Sequence, residues 1–145
     1  MIKKCLQWPE PPLKSHKTAS HPLHHLALAA DLGVSLPHKP IQNIIKNILK
    51  HQDSSGGLQS KVILPSIWGG SNKPDWLWMF CDAPVLLHVC LVFGISETDK
   101  NIKAALNHLS TAVENKEWTC FSSLEKLKGP GRKNDPCPYA SLLAL

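Results

Sequence analysis

The sequence lacks most of the signatures that would assign it a chemistry at sight. It has no Gly-x-Ser-x-Gly elbow, no phosphate-cradling P-loop and no dinucleotide fingerprint, which removes the commonest hydrolase, nucleotidase and dehydrogenase readings. Its five cysteines, Cys5, Cys81, Cys90, Cys120 and Cys137, include no C-x-x-C pair. An odd number, two of them in or beside an apolar stretch, reads as buried reduced thiols and not as a secreted disulfide framework. There is no long hydrophobic run. The longest, Ala83 to Ile95, is interrupted by His88 and falls short of the about 20 residues needed to span a bilayer. No signal-peptide pattern opens the chain, because Trp8-Pro9-Glu10-Pro11-Pro12 follows too soon after Met1. A soluble, cytoplasmic protein is expected.

What is present is globular in composition. The 145 residues are 43% hydrophobic and 19% charged, with a formal net charge of +5. The densest basic group, Lys126 to Lys133, encloses Gly129-Pro130-Gly131 and has no interleaved aromatics. It reads as a solvated loop, so no nucleic-acid partner is expected.

The strongest internal signal is a diverged repeat. His21-Pro22-Leu23 leads through Leu32-Gly33-Val34-Ser35 to the stripe Ile41, Ile44, Ile45, Ile48, Leu49. Ala83-Pro84-Val85 leads through Phe93-Gly94-Ile95-Ser96 to Ile102, Ala105, Leu106, Leu109. The two Gly-x-Ser steps lie 61 positions apart. A third unit begins at Cys137-Pro138-Tyr139 and stops at Leu145. Each unit pairs a helix that is apolar nearly all round with one that is apolar on one side only. The first helix is predicted over 22–32, with Ser20 as its cap, and the second from Lys39-Pro40. The third is predicted over 84–93, and the fourth opens at Ser96, Glu97 and Asp99. Residues 1–19 form a Pro- and Lys-rich arm, expected to be extended. The connection from Gln59 to Cys81 carries Trp68, Trp76 and Trp78, and is expected to plug the end of a helical stack or to rim a cavity.

Repeats of this kind need neighbours to bury their faces. The sequence therefore predicts an all-α fold of helical hairpins forming part of an α/α toroid over 20–145. About two units and the start of a third are expected, in what reads as a truncated segment. Its apolar end is expected to promote self-association.

The exit Gln52-Asp53-Ser54-Ser55-Gly56-Gly57-Leu58 resembles the Q-x-x-x-G-x-W turn of terpenoid cyclases. It is closer still to the Q-x-x-x-G-G-[FL] turn of protein prenyltransferase β-subunits. The resemblance implies a prenyltransferase-like transferase or binding protein that holds an isoprenoid-type apolar ligand in a cavity lined by inner helices. Trp76, Trp78, Phe80, Asp82, His88 and Tyr139 are the cavity candidates. The D-x-D-D acid of squalene-type cyclases is missing. In prenyltransferases an Asp and a Cys two residues apart help to hold zinc, and Asp135-Pro136-Cys137 is similar to that pair. The resemblance thus implies zinc on Asp135 and Cys137, with a later His to complete the set. Equally, Asp135 can cap a helix and Cys137 can fill a core. Asp82 is placed to cap the third helix, and His88 to point at the toroid centre or to serve as a bonded core residue. His21 and His25, spaced i, i+4, share a helix face as metal pairs do, or line the surface. The alternative to an enzyme is a non-catalytic helical-repeat module that binds a protein or lipid-like ligand, or an inactive fragment.

Overall fold

In the computed structural model the described residues are 2–15, 18–116, 119–125, 127, 137, 138 and 142, with backbone alone for 113–116. Five helices and one two-stranded sheet are described: α1 Ile2–Cys5, α2 Pro22–Asp31, α3 His38–Lys50, β1 Ser60–Ile63, β2 Pro74–Leu77, α4 Ala83–Val92 and α5 Lys100–Lys116.

The consecutive helices α2, α3 and α4, α5 occupy the predicted repeat positions, and the same device joins each to the next. Gly33 and Gly94 have φ of 61° and 102°. In the first joint Val34 N donates to Ala29 O and Gly33 N to Ala30 O; in the second Ile95 N donates to Cys90 O and Gly94 N to Leu91 O. These are two Schellman stops, in which a left-handed glycine lets the next two N–H groups satisfy the last helical carbonyls. The spacing of 61 positions is the repeat of that stop.

Helix starts differ from expectation. His21, not Ser20, caps α2: its Nδ1 accepts from Leu23 N at 3.2 Å, and its Nε2 lies 2.7 Å from the Pro11 carbonyl. A ring that accepts at Nδ1 carries its proton on Nε2, so the second bond is a donation to Pro11. Asp99 caps α5, accepting from Asn101 N at 2.8 Å, so that helix opens later than Ser96. Asp82 stands at the cap position of α4 but makes no side-chain cap bond to it. Replacing the buried His21 by Ala removes a cap and the tie to the arm. His21→Ala should lose about 1–2 kcal/mol in urea unfolding.

The all-α toroid expectation is corrected. A two-stranded antiparallel sheet lies between the helix pairs, with Ser60 opposite Leu77 and Ile63 opposite Pro74. The structureless connection read from the sequence is thus a hairpin with a 3-10 turn at Ser66–Trp68 in its loop. The arm is not simply extended either. Residues 2–5 are helical, and Leu13 pairs in parallel with Val62, Leu13 N donating to Lys61 O and Ile63 N to Leu13 O. Cys5, Trp8 and Leu13 are buried in the same core as α2, α3, α4 and α5. α4 packs against both α2 and α5, and also touches α3.

Candidate functional site

The most elaborate polar construction is the turn after α3. Gln52 Nε2 donates to Gly56 O within the turn and to Asn101 O at the start of α5, both at 2.8 Å. Asp53 Oδ1 accepts from Ser55 N and Gly57 N, each at 2.9 Å, and from Ser55 Oγ at 2.7 Å. A Cβ on Gly56 would lie 2.4 Å from Ala104 O of α5, and one on Gly57 would lie 2.4 Å from the Trp78 ring. Glycine at both places lets the turn sit directly on α5 and on that ring.

Ser55 Oγ also lies 3.1 Å from His108 Nδ1. A Ser, a His and an Asp together invite a nucleophile reading, and the proton count rejects it. The hydroxyl has one proton, which goes to the carboxylate. His108 Nδ1 must then donate to Oγ, so this ring nitrogen has no free pair with which to activate the serine. The other nitrogen, Nε2, is buried without a hydrogen-bond partner among the described residues, and Trp78 packs edge-on with ring centroids 4.5 Å apart. The cluster is a clamp between the α3 exit and α5.

Burial lowers the His108 pKa, against the raising influence of Asp53 and Ser55. His25 and His51 are also lowered, first by burial and then by nearby lysines. These rings resist protonation in the folded chain more than in the unfolded one. Below the ordinary histidine value of 6.5, the unfolded state therefore takes up protons first, and stability falls with pH. Urea midpoints should drop between pH 7.5 and pH 5.5, and His108→Gln should flatten that slope.

The cavity candidates are not gathered into one cavity. Trp76 is stacked on His51, centroids 3.5 Å apart, with Trp8 edge-on at 6.1 Å. Trp78 packs on His108 and Phe121, and Phe80, 1% exposed, stacks on Phe121 with centroids 4.8 Å apart. His88 does not point inward: it is exposed, with Nε2 2.9 Å from Asp31 Oδ1 of α2. Asp82 is buried. Tyr139 lies outside the described residues. None of the described candidates lines either described cavity. One, of about 380 Å³, is a groove between Leu6, Trp8, Lys39, Pro40, Asn43, Ile44 and Asn47. The other, of about 160 Å³, lies between the hairpin and Leu124.

His21 precedes α2 and its two ring nitrogens are engaged, so it forms no i, i+4 metal pair with His25. Asp135 lies outside the described residues, as does the basic loop 126–133 apart from Leu127. Cys137 is half-buried against the core. Among the described residues no three His, Cys, Asp or Glu side chains are grouped to hold a metal ion.

One feature escaped the sequence reading. α4 is apolar apart from His88, yet among the described residues it is not covered on every side. Leu91 and Val92 are 36% and 43% exposed, and on α2 and its C-cap Leu28 and Leu32 are 44% and 64% exposed. The His88–Asp31 bond joins the two helices on this side, with Leu28 one turn before Asp31 and Leu91 and Val92 one turn beyond His88. On the α4 wheel His88 alone interrupts the apolar positions, and it lies on the side that stays open.

No described helix is long and apolar enough to cross a membrane. No family model, curated protein or solved structure matches this chain.

Proposed function

We propose that this chain is a non-catalytic binding module whose α2–α4 face receives an amphipathic helix from a protein partner. The observation that carries the reading is the open side of α4. Helices apolar all round are normally covered all round, and exposed apolar patches mark interaction sites. Two helices packed side by side offer a shallow channel, the geometry in which a helix is held by apolar anchors at i, i+3, i+4 and i+7. The His88–Asp31 pair gives that channel a polar mark for register.

A second reading is supported by the Gln52 turn and its resemblance to prenyltransferase-like turns: an isoprenoid-type apolar ligand lies on the same face. A shallow, open channel encloses such a ligand poorly, since small-molecule sites bury most of the ligand surface. The helix reading is therefore preferred.

The two are separated by titrating the full chain with fluorescein-labelled amphipathic peptides carrying leucines at i, i+3, i+4 and i+7, and separately with a fluorescent farnesyl diphosphate analogue. Saturable anisotropy with a peptide, weakened about tenfold or more by Leu28→Glu or Leu91→Glu, supports the helix reading. Binding of the farnesyl probe alone supports the second.

A further inference from the structure

The loop that joins β1 to β2 presents two large apolar residues side by side to solvent. Ile67 is 77% exposed and Trp68 38%. The loop is built to hold them out. Trp68 N donates to Pro65 O at 3.0 Å and Gly69 N to Ser66 O at 2.9 Å, which closes the 3-10 turn. Gly70 N donates to Pro65 O and Asn72 N to Leu64 O, while Asn72 Oδ1 accepts from Ser66 N at 3.0 Å. Gly69 and Asn72, with φ of 88° and 59°, turn the chain back through the left-handed region. A Cβ on Gly70 would overlap Leu64 O, so the two sides of the loop are pressed together. Folding Ile67 inward would break this set of bonds and leave their backbone groups unpaired.

Charge and area choose the partner. No Asp or Glu lies between Asp53 and Asp75, and the charge carried by the loop itself is the exposed Lys73. At its base Lys61 is paired with Glu10, and Asp75 Oδ1 accepts from Trp76 N. The whole chain carries a formal charge of +5. The tip therefore offers an apolar point with a cation beside it, which is complementary to an anionic surface. A Trp side chain buries about 150–250 Å². With Ile67 added, the tip still falls well short of the about 800 Å² per side of a stable protein interface. A protein would also have to supply a matching hollow, whereas a bilayer surface yields to a convex tip.

We propose that the loop 64–73 attaches this chain to the surface of an anionic lipid bilayer. Ile67 enters the acyl boundary. The Trp68 ring lies at headgroup level, where its apolar body is covered and its N–H stays wet. Lys73 meets the anionic headgroups, which draw basic residues close to the membrane. The chain lies on the membrane through this tip and does not span it. Two side chains give a weak, reversible attachment, and the α2–α4 face takes no part in it.

The test sediments the full chain at low salt with vesicles of phosphatidylcholine alone, and of phosphatidylcholine and phosphatidylserine in equal parts. Tryptophan fluorescence is followed in the same vesicles made with brominated acyl chains. The chain is expected to pellet with the mixed vesicles, less with phosphatidylcholine alone, and to be released as salt rises. Quenching by the brominated lipid should be lost in Trp68→Phe, which singles out that ring among the five tryptophans. Ile67→Asp should lower partitioning about tenfold or more, and Leu28→Glu should leave it unchanged. Ile67→Ser repeats the measurement without an added charge, and thermal melts of both variants should match the wild type, because Ile67 is exposed. No pelleting with either vesicle overturns the proposal and turns the tip toward a protein pocket. Pelleting that survives both Ile67 variants, or that falls equally in Leu28→Glu, also overturns it.

Discussion

Gly56→Ala is expected to lose about 3–5 kcal/mol, a large share of the stability of a domain this size. Two costs combine. The residue has φ of 94°, a conformation that an L side chain adopts only with strain. The new methyl would also meet backbone: Ala104 O at 2.4 Å and Ala104 C at 2.8 Å. A backbone carbonyl inside a helix cannot step aside as a side chain can. The turn would lift from α5, taking the Gln52 bond to Asn101 O with it. Gly33→Ala is the control, since Gly33 also has a positive φ but no atom within 4 Å of its added Cβ. It should lose only the conformational part, about 1 kcal/mol. Urea midpoints followed by circular dichroism decide between them, and equal losses would refute the close-approach account.

Phe80→Ala should cost about 3–5 kcal/mol. The ring is fully buried and stacked on Phe121, and its backbone N–H bonds the Phe121 carbonyl. Truncation leaves a cavity beneath the segment 119–124 and removes the ring that orients it. Amide exchange of Phe80 and Ser123, whose N–H groups hold that segment, should accelerate more than that of α2. Loss of protection spread evenly over the molecule would contradict this local role.

The helix pairs were legible because their signals are local. Ile41, Ile44, Ile45 and Ile48 follow helical spacing, and all four are buried. Gly33 and Gly94 are the stops that their positions announce. The sheet was not legible. Its strands are four residues each, too short for an alternation to stand out, one begins with Pro74, and no Asn-Gly or Asp-Gly turn joins them. The toroid follows from taking consecutive helices as packed pairs and extending them into a ring, whereas α2 packs on α4 and the connecting segment forms a hairpin. Site residues were harder still. His88 is the lone polar residue of α4, and it is exposed, neither at a ring centre nor in the core. Which way it faces depends on Asp31, 57 positions earlier. Trp76 and Trp78 lie two positions apart, yet His51 takes the first and Gly57, His108 and Phe121 take the second.

The central claim is that the open side of α2 and α4 is the surface this chain works through. Methyl-labelled protein titrated with an amphipathic leucine peptide tests it most directly by nuclear magnetic resonance. The account predicts the largest shifts at Leu28, Leu32, Leu91 and Val92, with the His88 ring following. Shifts confined to Leu6 and Ile44, in the groove beside Trp8, would move the site elsewhere and contradict it.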